Sequence, residues 1–280
     1  MTVRPASKTR AQVVVVERGK RRQQRDHLAT EEPLEVRVTA GGQQRTVAIT
    51  MRTPGADFEL AAGFLLGEGV ISERDEIERI NYCVRADIDI EQRYNIVTVA
   101  LRRPTLPDLA SLDRHFVTSS ACGVCGKASL DALELRSCAV LPAEPQINSE
   151  LLFALPDLLR TNQTLFAATG GLHGAALFDR NGALLTVRED VGRHNAVDKL
   201  IGWALMQDLL PLNQHILLVS GRTSFEIMQK ALAAGLPIVC GVSAPSSLAV
   251  ALAQRFNITL VGFLRGERYN VYAGAARLID

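Results

Sequence analysis

The apolar positions of this chain change their period part-way along it. Between Pro33 and about Val99 they mostly alternate. Leu34-Glu35-Val36-Arg37-Val38 and Val47-Ala48-Ile49-Thr50-Met51 place every second side chain on one face, across a Gly41-Gly42 turn, which predicts a β-hairpin with one buried face. Asp57 to Leu66 follows Pro54-Gly55, carries Phe58, Ala61, Ala62 and Leu65 as an apolar stripe, and stops at Gly67 and Gly69, so it predicts a helix. Asn95 to Val99 is a further strand. Strands first with one helix packed on them predict a small α+β unit over 26–101.

From Ser149 the rhythm becomes alternating helix and strand. Leu151–Arg160, Asn195–Leu209, Ser224–Ala234 and Ser246–Phe256 read as helices. Ala175–Phe178 and Leu184–Val187 flank Arg180-Asn181-Gly182 as a hairpin. His215–Ser220, Pro237–Cys240 and Ile258–Phe263 read as buried strands. The resulting βαβαβ order predicts an α/β domain over 149–280, with a parallel core sheet covered by helices. Ligands of such sheets sit beyond the C-terminal strand ends. The polar clusters Ser220-Gly221-Arg222, Ser243–Ser247 and Arg265-Gly266-Glu267-Arg268 fall there. Between the two units, 102–148 reads as a connector punctuated by prolines, with a short helix at Leu130–Leu135.

Composition narrows the setting more than the chemistry. The hydrophobic fraction of 47% and charged fraction of 22% are those of a water-soluble globular chain. A net charge of +1 gives no global pull toward nucleic acid or a membrane surface. The longest apolar run near the N-terminus, Val13–Val16, is too short for a signal peptide, and no segment approaches the ~20 apolar residues of a membrane span, so a cytoplasmic protein is expected. One local bias stands out: eight Lys and Arg residues against Glu17 alone precede Asp26. This basic arm, 1–25, reads as solvated and partly disordered, or as a docking arm for an acidic partner.

The candidate chemistry begins at Ser119-Ser120-Ala121-Cys122-Gly123-Val124-Cys125-Gly126. Two thiols two residues apart among small side chains serve either redox and sulfur chemistry or half of a metal site. A structural zinc site needs two more ligands, and Cys83, Cys138 and Cys240 are isolated, while the histidines form no close pair. A thioredoxin-type motif would lie between a strand and a helix of a βαβ unit, whereas this pair lies between Pro-containing connectors. A mobile, reactive pair remains, with Lys127 nearby to favour the thiolate.

Three further segments suggest a ligand. Gly192-Arg193-His194-Asn195 opens a helix, where free N–H groups and the planar Arg193 fork suit an anion. The alternative is that Asp190 or Asn195 merely caps that helix. Ser220-Gly221-Arg222-Thr223-Ser224 is a generic phosphate cradle without P-loop spacing. Lys230 could meet a phosphate or be solvated. His173, set between Gly170-Gly171 and Gly174, reads either as a structural histidine or as a ligand contact. His173-Gly174-Ala175 and Pro245-Ser246-Ser247-Leu248-Ala249 also resemble the H-x-E and P-C-x-x-C signatures of zinc deaminases with the base and both thiolates replaced, which argues against hydrolytic deamination.

Together these segments resemble the FdhD family of formate dehydrogenase accessory sulfurtransferases. The likeness is carried by Ser120–Gly126, Gly170–Ala175, Glu189–Lys199, Ser220-Gly221-Arg222, Ser243-Ala244-Pro245 and Asn270-Val271-Tyr272, and extends over nearly the whole chain. The resemblance implies a cytidine-deaminase-like C-terminal domain beside a smaller strand-rich N-terminal one, and a homodimer. It implies that Cys122 receives sulfur as a persulfide from a cysteine desulfurase, with Cys125 assisting. The sulfur would pass to the molybdenum of bis-(molybdopterin guanine dinucleotide), destined for formate dehydrogenase. Phe263, Leu264, Arg265, Gly266, Glu267 and Arg268 would contact that cofactor, together with Arg193, His194, Ser220, Gly221, Arg222 and His173, and guanine nucleotides would mimic it. No metal, and no zinc at the thiol pair, is implied. A cofactor-binding chaperone without sulfur chemistry remains the alternative, and a zinc hydrolase is a third reading.

Overall fold

A computed structural model describes residues 6–83, 93–109 and 139–280. Cys122, Cys125, the Leu130–Leu135 helix and most of the connector lie outside the described residues.

The first element departs from expectation. Instead of a disordered arm, β1 (Lys8–Glu17) and β2 (Lys20–Ala29) form a two-stranded antiparallel ribbon. Its turn, Arg18-Gly19, has φ of 47° and 80°, the paired left-handed conformation that matches the twist of a two-residue hairpin. Valines alternate with polar residues in β1 only weakly, and charge dominates β2, so periodicity gives no strand signal there.

Next come β3 (Glu32–Ala40) and β4 (Gln43–Arg52), the expected hairpin over Gly41-Gly42. Helix α1 (Asp57–Gly67) follows. Strands β5 (Ile77–Tyr82) and β6 (Ile96–Leu101) complete a four-stranded sheet in the order β4-β3-β6-β5, with β3 and β6 parallel. Alternate residues of β3, Leu34, Val36, Val38 and Ala40, are buried. The start of α1 is held by charge: Arg52 Nε and Nη2 donate to the two Asp57 carboxylate oxygens at 3.2 Å each, and both residues are buried.

The second half begins with β7 (Ile147–Asn148), a 3-10 turn over Ser149–Ala154, then α2 (Leu155–Asn162) and α3 (Thr164–Thr169). The single helix expected over Leu151–Arg160 is therefore two pieces. Pro156 lies in the first turn of α2, where its missing N–H costs nothing, so the α-helix starts there. Strands β8 (His173–Asp179) and β9 (Leu184–Asp190), helix α4 (Arg193–Met206), β10 (His215–Val219), α5 (Phe225–Ala233), β11 (Ile238–Gly241), α6 (Ser247–Arg255) and β12 (Thr259–Arg265) follow. Strand β13 (Arg268–Ala273), which periodicity does not predict, returns antiparallel beside β12, and β14 (Leu278–Ile279) pairs with β7.

The six-stranded sheet runs β13-β12-β11-β10-β8-β9. Its core, β10-β11-β12, is parallel as expected, while β8, β9 and β13 make the margins antiparallel. Each central strand feeds both faces. In β10, Leu217 and Val219 enter the large core shared with α4, α5 and α6, while Ile216 and Leu218 enter a smaller core under α2.

The two units expected from sequence share that large core. Leu60 and Leu65 of α1, Val36 of β3 and Val197, Leu200 and Ile201 of α4 belong to one cluster of buried side chains. Each fully buried leucine there contributes about 1.5–3 kcal/mol. Helices α1 and α4 cross closely enough that glycine is needed on both at the crossing.

Candidate functional site

Ser220-Gly221-Arg222 leaves β10, Val242–Ser246 leaves β11, and β12 ends at Arg265, all at one edge of the sheet. The first two loops zip together: Thr223 N–H donates to Ala244 O at 3.2 Å and Ser246 N–H to Thr223 O at 3.0 Å. His173 opens β8 at the same edge, because β8 runs antiparallel to β10. Ser220 N–H donates to Gly174 O, and Gly174 N–H donates to Ser220 Oγ, both at 2.9 Å. A Cβ at Gly221 would stand 3.3 Å from His173 Nδ1, so the glycine lets the loop pass tightly beside the imidazole.

The Glu189–Lys199 block divides in two. Asp190, fully buried, accepts from Gly192 N–H at 2.8 Å and Thr53 N–H at 3.1 Å, and pairs with Lys199 at 2.6 Å. Lys199 also donates to Thr53 O at 2.8 Å, and Asn195 Nδ2 to Met51 O at 2.8 Å. These three side chains fasten α4 to β4 and the residue after it, so their role is structural. Arg193 and His194 face the sheet edge instead. Arg193 Nε is buried without a hydrogen-bond partner among the described residues. Neither Gly192 at the start of α4 nor Ser224 at the start of α5 caps its helix with a side-chain bond.

Electrostatics mark the same spot. Burial, and then the neighbouring Arg193, push His194 down to about 4. Burial lowers His173 too, with Arg193 and Arg222 adding to the effect. Both imidazoles are thus neutral near pH 7 beside the two arginines. His194 Nε2 lies 3.1 Å from Ser224 Oγ. A buried guanidinium nitrogen without a hydrogen-bond partner among the described residues and two neutral imidazoles fit a phosphate-bearing ligand, although the Glu226 carboxylate, bonded to Ser224 and to its own N–H, already occupies the start of α5 beside His194. Lys230 takes no part: it is buried and paired with Asp198 at 2.8 Å, neither solvated nor free to meet a phosphate.

A cavity of about 560 Å³ adjoins this edge, lined in part by Leu159, Arg160, Gln163, Phe166, His173 and Ser220. Arg160 lies over the Phe166 ring, 4.2 Å from its centroid. Gln163 is 4% exposed and its Nε2 has no hydrogen-bond partner among the described residues. Sequence reasoning does not single out Arg160, Gln163 and Phe166, since nothing in their spacing distinguishes them from ordinary helical residues. Gly170-Gly171 just downstream is the available signal of close approach.

The segment Phe263–Arg268 divides between core and surface. Phe263 N–H donates to Ser243 O at 3.1 Å, which joins the segment's base to the site loops. Leu264 is 0% exposed and belongs to the smaller core. Arg265, Gly266, Glu267 and Arg268 form the exposed bend between β12 and β13. Thus His173, Arg193, His194, Ser220, Gly221 and Arg222 are gathered, and Phe263–Arg268 is tied to their loops through Ser243.

Of the cysteines described, Cys240 is buried in β11, and burial pushes its thiol up to about 12, so it is unreactive packing as expected. Trp203 and Phe225 pack against the large core. Among the described residues no three or more His, Cys, Asp and Glu side chains gather as metal ligands, and no helix is long and apolar enough to cross a membrane.

Comparison with known proteins agrees with the resemblance read from sequence. A family model described as FdhD/NarQ family matches residues 29–279. A curated relative from Streptomyces avermitilis named Sulfur carrier protein FdhD is 54% identical over 256 residues, covering 90% of this chain and 89% of that one. One of the same name from Sulfurisphaera tokodaii is 44% identical over 254 residues, 91% of this chain and 92% of the other. A crystal structure from Desulfotalea psychrophila, assigned as a formate dehydrogenase accessory protein, superposes with a TM-score of 0.75 at 26% identity, covering 97% of this chain and 99% of its own.

Proposed function

From the premise that this chain belongs to the FdhD/NarQ family, we propose that it is a sulfur carrier serving formate dehydrogenase, and that Cys122 bears the sulfur as a persulfide. The observation that carries this reading is the Cys122-x-x-Cys125 pair in a chain whose relatives are named sulfur carrier proteins.

The Cys122 thiolate attacks the outer sulfur of a cysteine desulfurase persulfide. A new S–S bond forms, the donor's S–S bond breaks, and the donor cysteine leaves as thiolate. Release of that sulfur as sulfide needs two electrons. Cys125 supplies them by attacking Cys122 Sγ, so that sulfide departs and a Cys122–Cys125 disulfide remains for a cellular dithiol to reduce. The acceptor substrate is the molybdenum of bis-(molybdopterin guanine dinucleotide). Its phosphates suit Arg193, whose Nε has no hydrogen-bond partner among the described residues, and Arg222, and the neutral His173 and His194 add donors without further charge. Ser220 and Gly221 hold the loop against His173, and the exposed residues of Phe263–Arg268 close the ligand's far side. The mixed sheet with helices on both faces supports reading the C-terminal half as deaminase-like, and the working unit is taken to be a homodimer in the cytoplasm.

The test is intact-mass spectrometry after incubation with a cysteine desulfurase and cysteine. Wild type should gain one reductant-labile sulfur and Cys122→Ala none. Arg193→Ala should weaken GDP binding about tenfold or more, as loss of a charge-assisted contact does, while Cys122→Ala leaves it unchanged. No added sulfur on wild type, or formate dehydrogenase activation by Cys122→Ala equal to wild type, would leave the binding chaperone as the better account.

A further inference from the structure

We propose that one face of the β1–β2 ribbon is the docking surface for an acidic protein, and that this protein is the enzyme receiving the cofactor. The partner's identity rests on the function proposed above; the surface itself does not.

The ribbon sorts its charges by face. Residues directly opposite in an antiparallel pair share a face, and successive residues alternate. The register Lys8↔Ala29 to Glu17↔Lys20 therefore puts Lys8, Arg10, Arg21 and Arg25 on one face with Val14 and Val16. Both carboxylates of the ribbon, Glu17 and Asp26, fall on the other, where they offset Lys20 and Arg22. The cationic face is open towards the turn, where Val14 is 60% and Val16 62% exposed while Val13 and Val15 opposite are partly covered; at the foot the order reverses, with His27 and Ala29 partly covered and Leu28 opposite exposed. Two adjacent aliphatic side chains rimmed by guanidinium groups have the composition of a protein interface, an apolar centre within a polar, arginine-rich border.

Position supports the choice of partner. Helix α3 packs on β2. At the ribbon's foot Ala29, on the same face as Lys8, lies 3.7 Å from where a Cβ on Gly171 would be. Gly171 lines the cavity that contains His173 and Ser220. A protein seated on this face stands at the rim of the ligand site, where an acceptor of the cofactor has to be.

Other occupants fit less well. A second copy meeting ribbon to ribbon would set four cations against four. A nucleic acid would find cations but no Phe, Tyr or Trp on either strand to stack its bases. An acidic protein surface with an apolar centre satisfies both the charge and the valines.

The experiment measures binding of cofactor-free formate dehydrogenase from the same organism to the full chain by calorimetry at two salt concentrations. Arg21→Glu/Arg25→Glu should weaken binding about tenfold or more and flatten its salt dependence, and Val14→Asp/Val16→Asp should weaken it comparably. Circular dichroism, GDP binding and sulfur loading from the desulfurase should match wild type in both variants. Unchanged enzyme affinity, absence of binding by wild type, or loss of desulfurase loading in place of enzyme binding would overturn the proposal. So would a DNA duplex competing for the ribbon. A wild type that binds the enzyme through the ribbon yet takes up no sulfur would remove the sulfur-carrier reading and leave the docking surface standing.

Discussion

Gly63 of α1 and Gly202 of α4 meet backbone to backbone: a Cβ built on either would lie 2.8 Å from the other's amide nitrogen. The same Cβ atoms would stand 1.9 Å from Asp198 O and 1.8 Å from Glu59 O. This crossing joins the strand-rich N-terminal unit to the α/β unit whose α4 carries Arg193 and His194.

Gly202→Ala should therefore force the helices apart. We expect a loss of about 3 kcal/mol or more in urea unfolding, at the upper end of overpacking costs because the obstacle is backbone. Ala204→Gly, slightly further along the same helix, should cost only about 1 kcal/mol for the propensity change plus its lost methyl. Equal costs for the two would show that the crossing is not tight.

The Asp190–Lys199 pair should couple strongly. Both are buried, and removing one partner leaves the other's charge without compensation, at about 3–5 kcal/mol. Lys199→Met and Asp190→Asn should each destabilise by that order, and the double variant by clearly less than their sum. An additive double-mutant cycle would show that the pair is not the fastening.

His194 predicts an acid-side loss of stability. Its folded value of about 4 lies below the ordinary 6.5, so the unfolded chain binds the extra proton first as pH falls. The contribution is full above pH 6.5, shrinks between 6.5 and about 4, and is gone below that. It amounts to at most about 3 kcal/mol at about 1.36 kcal/mol per unit. His194→Gln should flatten the fall of unfolding free energy between about pH 7 and 4.5 relative to wild type; parallel curves for the two proteins would refute the assignment.

Neighbours in the Phe263–Arg268 segment should separate by assay. Leu264→Ala should cost about 2–5 kcal/mol as a core truncation, with GDP affinity affected only through stability. Arg265→Ala, at the surface, should leave the melting temperature within a degree or two of wild type, and lower GDP affinity if the segment closes over the ligand.

Much of this was legible in the sequence, for local reasons. The β3–β4 hairpin, the parallel run β10-β11-β12 and the helices between them follow from period, turn residues and glycine stops, all of which act within a few residues. The placing of Ser220-Gly221-Arg222 and Ser243–Ser247 beyond the strand ends followed from α/β topology; that His173 and Arg193 join them did not. Tertiary structure decided the rest. Nothing local shows that Asp190, Asn195 and Lys199 grip β4 while Arg193 and His194, within the same block, face the loops at the strand ends, because the division depends on a strand more than a hundred residues earlier. Leu264 and Arg265 look equally eligible until the sheet turns one inward. Lys230 looks solvated until α5 packs it against Asp198. The ribbon's valines and arginines spell no strand in one dimension, since its sorted faces exist only once β1 and β2 are paired.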